Sequence, residues 1–238
     1  ARPVHAEPTA AARQGRCQVH LTPRALPLDW LGDVRGRRIL CLASAGGQQA
    51  PVLAAAGAIV TVFDLSDGQL AQDRSVAQRD GLALRTVKGD MRDLHAFADG
   101  SFDVVFHPIS NLCVPDVRPV WAECQRVLAR DGLLLASFYN PVVFVGARDP
   151  QLQEQGLIRP RFAIPYSDLE DLPADEREAK LARGEALTFG HSLGELIGGQ
   201  LDAGFVVERF MEDWQPRPRF LIDRYLPTFL APRARRIG

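Results

Sequence analysis

Between residues 38 and 138 the chain alternates short apolar runs with amphipathic stretches. The runs are Arg38-Ile39-Leu40-Cys41-Leu42-Ala43, Ile59-Val60-Thr61-Val62-Phe63, Leu84-Arg85-Thr86-Val87, Phe102-Asp103-Val104-Val105-Phe106 and Leu133-Leu134-Leu135-Ala136-Ser137-Phe138. Runs of this kind fit strands covered on both faces, as in a parallel sheet. A helix is predicted from the end of Ser44-Ala45-Gly46-Gly47 to Gly57. Ser66 caps a second helix, with Gln69 completing a capping box and Gly81 as a left-handed stop. Val117, Val120, Trp121, Cys124, Val127 and Leu128 recur at helical spacing as one apolar stripe closing at Gly132. Strand and helix thus alternate about five times, which predicts a doubly wound α/β domain.

Outside this region the texture changes. Residues 1–36 read as an irregular or partly helical N-terminal extension, interrupted by Pro23 and Pro27, and the main domain is expected over 37–238. Pro150, Pro160, Pro165 and Pro173 punctuate a polar excursion over 146–190 in which only Ala174 to Arg183 looks helical. Excursions of this length usually form lids or binding loops, so the segment is expected as an inserted lid or substrate-binding element with Phe144, Phe162, Tyr166 and Phe189 as apolar walls. A helix over 192–203, then strands over 205–210 and 225–230, are expected to close the domain.

Charge narrows the partners. The chain has 28 basic and 29 acidic residues, so no global positive field recruits nucleic acid or an anionic membrane. No run of 18 apolar residues exists to span a bilayer, and the first 16 residues lack the apolar core of a secretory signal. Cys17, Cys41, Cys113 and Cys124 form no CxxC pair and read as reduced thiols, pointing to a cytoplasmic protein without a metal site.

In open α/β sheets ligands bind beyond the carboxyl ends of the strands. The turn Ala43-Ser44-Ala45-Gly46-Gly47 has small side chains that let backbone amides approach a ligand. Asp64 ends the second run, where a carboxylate can accept from two ribose hydroxyls, and Asp90 follows the third, where it can accept from an adenine amino group. A dinucleotide fingerprint wants glycine at the first, third and sixth turn positions, which here are Ala43, Ala45 and Gln48. Gln48 therefore argues against an NAD(P)-dependent oxidoreductase, the first alternative reading.

The runs ILCLASAGGQQ, VTVFDLS, GDM, SFDVVFHPISN and VWAECQRVLARDGLLLASF resemble class I S-adenosylmethionine-dependent methyltransferases, most closely a small bacterial branch with an LCLASGGGQQ turn. The resemblance is strong over about 36–141 and looser to about 233. It implies a three-layer, Rossmann-like, mostly parallel seven-stranded sheet with an antiparallel last strand. It also implies S-adenosylmethionine as cofactor and methyl transfer; the near-neutral charge favours an unidentified small-molecule acceptor over an RNA. Carried over by position, Ala43, Ser44, Ala45, Gly46 and Gly47 lie under the methionine part, Asp64 takes the ribose and Leu65 the adenine ring. Asp90 and Met91 hold the adenine edge, Gln48 or Gln49 reaches the cofactor carboxylate, and Gln69 belongs to the same set. His107 would sit beside the sulfonium and, with Tyr139, is a candidate catalytic residue; Asn111, Tyr139, Asn140 and His191 would contact the acceptor. Cys41 stands where the family usually has an acid, and Ala43 and Ala45 replace two glycines, which suits alanine if their φ values are negative. Those replacements motivate the second alternative, a catalytically degenerate S-adenosylmethionine-binding or scaffold protein.

Overall fold

A computed structural model describes residues 3–147 and 149–238. The chain runs through α1 (Ala6–Arg13), α2 (Leu28–Leu31), β1 (Arg38–Leu42), α3 (Gln49–Ala55), β2 (Ile59–Asp64), α4 (Asp67–Asp80) and β3 (Leu84–Lys88). It continues with β4 (Phe102–Pro108), α5 (Arg118–Val127), β5 (Leu128–Tyr139), α6 (Pro150–Glu154), β6 (Tyr166–Ser167), α7 (Ala174–Ala182) and β7 (Phe189–Gly190). The last elements are α8 (Gly199–Asp202), β8 (Phe205–Asp213) and β9 (Phe229–Arg236).

Seven strands form one sheet in the order β3-β2-β1-β4-β5-β9-β8. Strands β1 to β5 pair in parallel, and β9 is antiparallel to both β5 and β8, so the expected sheet with its antiparallel last strand forms. Ile39, Cys41, Val60, Val62 and Phe106 face one apolar cluster, shared with Val52 and Leu53 of α3 and Leu70 of α4. Leu40, Leu42, Phe63 and Val105 face the opposite cluster, shared with Trp121 and Cys124 of α5. Coverage on both faces is why these strands are apolar at successive positions. Among the described residues, no helix is long and apolar enough to cross a membrane.

Several boundaries differ from expectation. The stripe expected to close at Gly132 ends its helix at Val127, because Leu128 turns to extended backbone and pairs with Phe102. The last strand forms at Phe229–Arg236 rather than at 225–230, and its Arg233 and Arg235 both reach Glu208 on neighbouring β8. Val19, Leu21, Trp30 and Val34 from the segment before β1 are buried in the same cluster as α3. Within 146–190, α6 is a helix that the proline punctuation concealed. Phe144, Phe162 and Tyr166, expected as walls of a binding site, pack on one another in a satellite cluster. There the Asp168 carboxylate accepts from the Lys180 ammonium, the Tyr166 hydroxyl and the Thr188 amide.

Candidate functional site

The crossovers from β1 and β4 leave in opposite directions, and a cleft of about 850 Å³ opens beyond their carboxyl ends. Ala43 and Ala45 line it after β1, Asp64, Leu65 and Ser66 after β2, Gly89, Asp90 and Met91 after β3, and Pro108, Ile109 and Ser110 after β4. Gly184 and Ala186 of the excursion complete the wall. A crevice at this switch point is where open α/β sheets hold ligands. Another hollow, of about 420 Å³, lies among α1, α2 and Ala56, away from the strand tips.

The turn after β1 is left-handed at three positions, with φ of 45° at Ala43, 60° at Ala45 and 71° at Gly47. The two alanines thus have the sign of φ opposite to the one that suits them, a strain persisting only where the surroundings over-determine the backbone. Those surroundings are specific. The Ala43 amide donates to the Phe63 carbonyl at 2.8 Å, and its carbonyl accepts from Ser110 Oγ at 2.6 Å. The Gly46 amide donates to Gln69 Oε1 at 2.6 Å and the Gly47 amide to Asp73 Oδ1 at 2.8 Å. Gly46 lies so close to α4 that a Cβ there would meet the Gln69 carbonyl oxygen at 2.2 Å.

Ser66 Oγ accepts from the Gln69 amide, but the capping box is not completed, since the Gln69 side chain serves Gly46 and the Ser66 amide donates to Asp64 Oδ1 at 2.8 Å. That contact aims Asp64 along the cleft wall, and partial burial raises its carboxyl above the ordinary value. Leu65 beside it is 64% exposed, an apolar surface offered to the cleft. Asp90 is held by Arg92, whose Nη2 donates at 2.6 Å; this hydrogen-bonded pairing lowers the Asp90 pKa. The carboxylate expected for an adenine amino group is therefore shared.

The expected set divides. Ala43, Ala45, Asp64, Leu65, Gln69, Asp90 and Met91 line the cleft, whereas Ser44, Gly46, Gly47, Gln49 and His107 lie outside its lining. Ser44 is buried, Gly46 and Gly47 turn their amides to α4, and Gln49 Oε1 accepts the His20 amide at 2.9 Å instead of reaching a ligand. His107 is fully buried on the α5 side of the sheet, its ring against Trp121 and Nδ1 2.9 Å from the Leu42 carbonyl. Burial lowers its pKa to about 4, and the side chain lies on the sheet face that α5 covers, outside the cleft lining. The Tyr139 hydroxyl accepts from Arg219 at 2.9 Å and its ring packs on Phe229, outside the cleft lining. Asn140 caps the following turn through Val142. Asn111 and His191 are buried and bonded together, with His191 Nε2 3.1 Å from the Asn111 carbonyl, so they join the excursion to the turn after β4 rather than face the cleft.

Sequence reasoning missed Asp73, and placed Arg92 and Ile109 among the residues after the strands without giving either a role. The signal for Asp73 was an acid four residues after Gln69, on the face of α4 that buries Leu70, Val76 and Ala77. Ile109, at φ 60°, carried no signal, because a β-branched residue is not expected there.

The sheet order and the cleft at its switch point define a Rossmann-like, doubly wound α/β protein. The methyltransferase-domain family matches residues 40–136. Over 224 residues the chain is 50% identical to the uncharacterized methyltransferase YbaJ of Bacillus subtilis (strain 168), covering 94% of this chain and 86% of that protein. A demethylmenaquinone methyltransferase of Renibacterium salmoninarum is 34% identical over 119 residues, 50% of this chain and 48% of that one. The S-adenosylmethionine-dependent methyltransferase of Mesorhizobium loti superposes with a TM-score of 0.69 at 22% identity, over 87% of this chain and 94% of that one. The chain belongs to the methyltransferase family.

Proposed function

We propose that the protein transfers a methyl group from S-adenosylmethionine to a small-molecule acceptor. The observation that carries this reading is that Asp64 and the strained Ala43–Ala45 turn face one cleft at the β1–β4 switch point. The lining fits the cofactor: small side chains leave backbone accessible after β1, Asp64 offers a carboxylate to ribose hydroxyls, and Leu65 offers an apolar surface to adenine. Met91 and the Asp90–Arg92 pair stand at the adenine edge on this reading. The Mesorhizobium loti protein, named for its dependence on this cofactor, shares the fold.

Bound S-adenosylmethionine supplies a methyl group on a sulfonium that is already a good leaving group. The protein's task is then to exclude water and align the acceptor within about 3–3.5 Å of the methyl. Ile109, Leu112, Val114, Pro115 and Ala186 give that end of the cleft an apolar wall, with the 146–190 segment covering the acceptor. Among the described lining residues there is no histidine or tyrosine, so orientation and desolvation are what the wall provides. Residues 37–238 form the catalytic unit on this reading, and the four free cysteines accord with a cytoplasmic setting. Titration calorimetry with S-adenosylmethionine, with NAD as comparison, tests the proposal. Saturable heat with the first alone is expected, and no heat at millimolar S-adenosylmethionine would overturn it.

A further inference from the structure

We propose that Asp73 is a positioning residue: with Gln69 it latches the 43–47 turn in its ligand-receiving shape, and it sets a negative charge behind that turn that favours a cationic cofactor. The inference rests on the cofactor assignment above and adds a residue to it.

Two side chains of α4, one helical turn apart, accept the amides of Gly46 and Gly47 at 2.6 and 2.8 Å. Gln69 lies at the cleft, while Asp73 is only 2% exposed behind the turn. An ionised carboxylate in such a place is costly unless paired. The groups facing it are the Gly47 amide, the buried Cys41 thiol of β1, the Asp64 carboxylate of β2 and Arg74 on its own helix; α3 carries no ionisable side chain. Burial first, and the negative charge of Asp64 after it, push the Asp73 carboxyl up to about 7 against the opposing effects of the Gly47 amide and Arg74. An amide side chain could accept from Gly47 equally well without that cost, so hydrogen bonding alone does not account for an acid here.

A charge behind the turn does account for it. S-adenosylmethionine is positive at sulfur, whereas its demethylated product S-adenosylhomocysteine is neutral there and otherwise carries the same ionisable groups. The carboxylate therefore favours the methyl donor over the product. By reciprocity the arriving cation favours the ionised carboxylate, so binding near pH 7 expels a proton.

The test is calorimetry of both compounds against wild type and Asp73→Asn from pH 6 to 8, in two buffers of different ionisation heat. Wild type should release more protons on binding S-adenosylmethionine than on binding S-adenosylhomocysteine. Asp73→Asn should abolish that excess and bind the methyl donor about tenfold more weakly at pH 8, with little change for the product. Its thermal midpoint at pH 8 should rise, because a buried charge has gone while the Gly47 contact remains. A lower midpoint with equal losses for both compounds would leave only a structural role and overturn the charge assignment. Should Asp73→Asn fail to fold, wild type alone decides, since equal proton release for the two compounds overturns the proposal. Wild type that binds neither compound instead overturns the cofactor reading.

Discussion

The Ser110 hydroxyl donates to the Ala43 carbonyl at 2.6 Å, tying the turn after β4 to the turn after β1 across the switch point. Ile109, beside Ser110, has φ 60°, and Ala43 and Ala45 have φ 45° and 60°. Of the four non-glycine residues with positive φ among those described, these three line one cleft; Asp131 is the other. Strain of this kind gathers where a ligand is clamped.

Glycine should relieve part of it. Ala45→Gly removes a left-handed penalty of about 1–2 kcal/mol and gives back part through a more flexible unfolded chain. Urea unfolding should show a gain of about 0.5–1 kcal/mol; a loss would mean that the alanine methyl packs better than its backbone suffers.

Gly46→Ala should act in the opposite direction. Its Cβ would stand 2.2 Å from the Gln69 carbonyl oxygen and 2.7 Å from the Gln69 Cα, both backbone atoms of α4. The helix must shift, at a cost of about 1–3 kcal/mol, with weaker S-adenosylmethionine binding as the turn moves. Chemical denaturation and calorimetry would read the two effects, and unchanged values in both would refute the close approach.

Asp64→Ala should weaken S-adenosylmethionine binding by about 1.5–3 kcal/mol, the loss of hydrogen bonds to a charged group, in a protein that still folds. Retained affinity in a folded variant would remove Asp64 from the ribose site.

The pH dependence of stability tests His107. Its pKa is lowered by burial from 6.5 to about 4, so between those values the unfolded chain binds more protons than the folded one. Stability from this group is therefore complete above pH 6.5 and is lost as pH falls toward 4. His107→Asn puts an amide nitrogen where Nδ1 stands, keeps a donor for the Leu42 carbonyl and cannot titrate. Thermal midpoints followed from pH 7 to 4 should show wild type falling relative to the variant; parallel curves would place the imidazole in contact with water.

Much of the frame was legible. The runs that became β1 to β5 stood out because a parallel strand covered on both faces must be apolar at successive positions. Ser66 and Gly81 marked the ends of α4 because cap and left-handed stop are local chemistry. The cleft was half legible: Asp64 and Asp90 could be read from strand ends, but not that Arg92 would engage Asp90. His107 looked equally well placed at a strand end, yet the direction of its side chain depended on which sheet face α5 would cover.

The sequence by itself determined the succession of β1 to β5 and the strand tips at which a ligand site could arise, because periodicity, capping and turn chemistry act over a few neighbouring residues. Tertiary structure decided which side chains meet. Gln69 and Asp73 reach the turn after β1 from α4, Ser110 reaches it from β4, and Gly184 and Ala186 close the cleft from the excursion. Those meetings, and the left-handed alanines they hold, depend on how helices and strands distant in the chain press together, which no local pattern encodes.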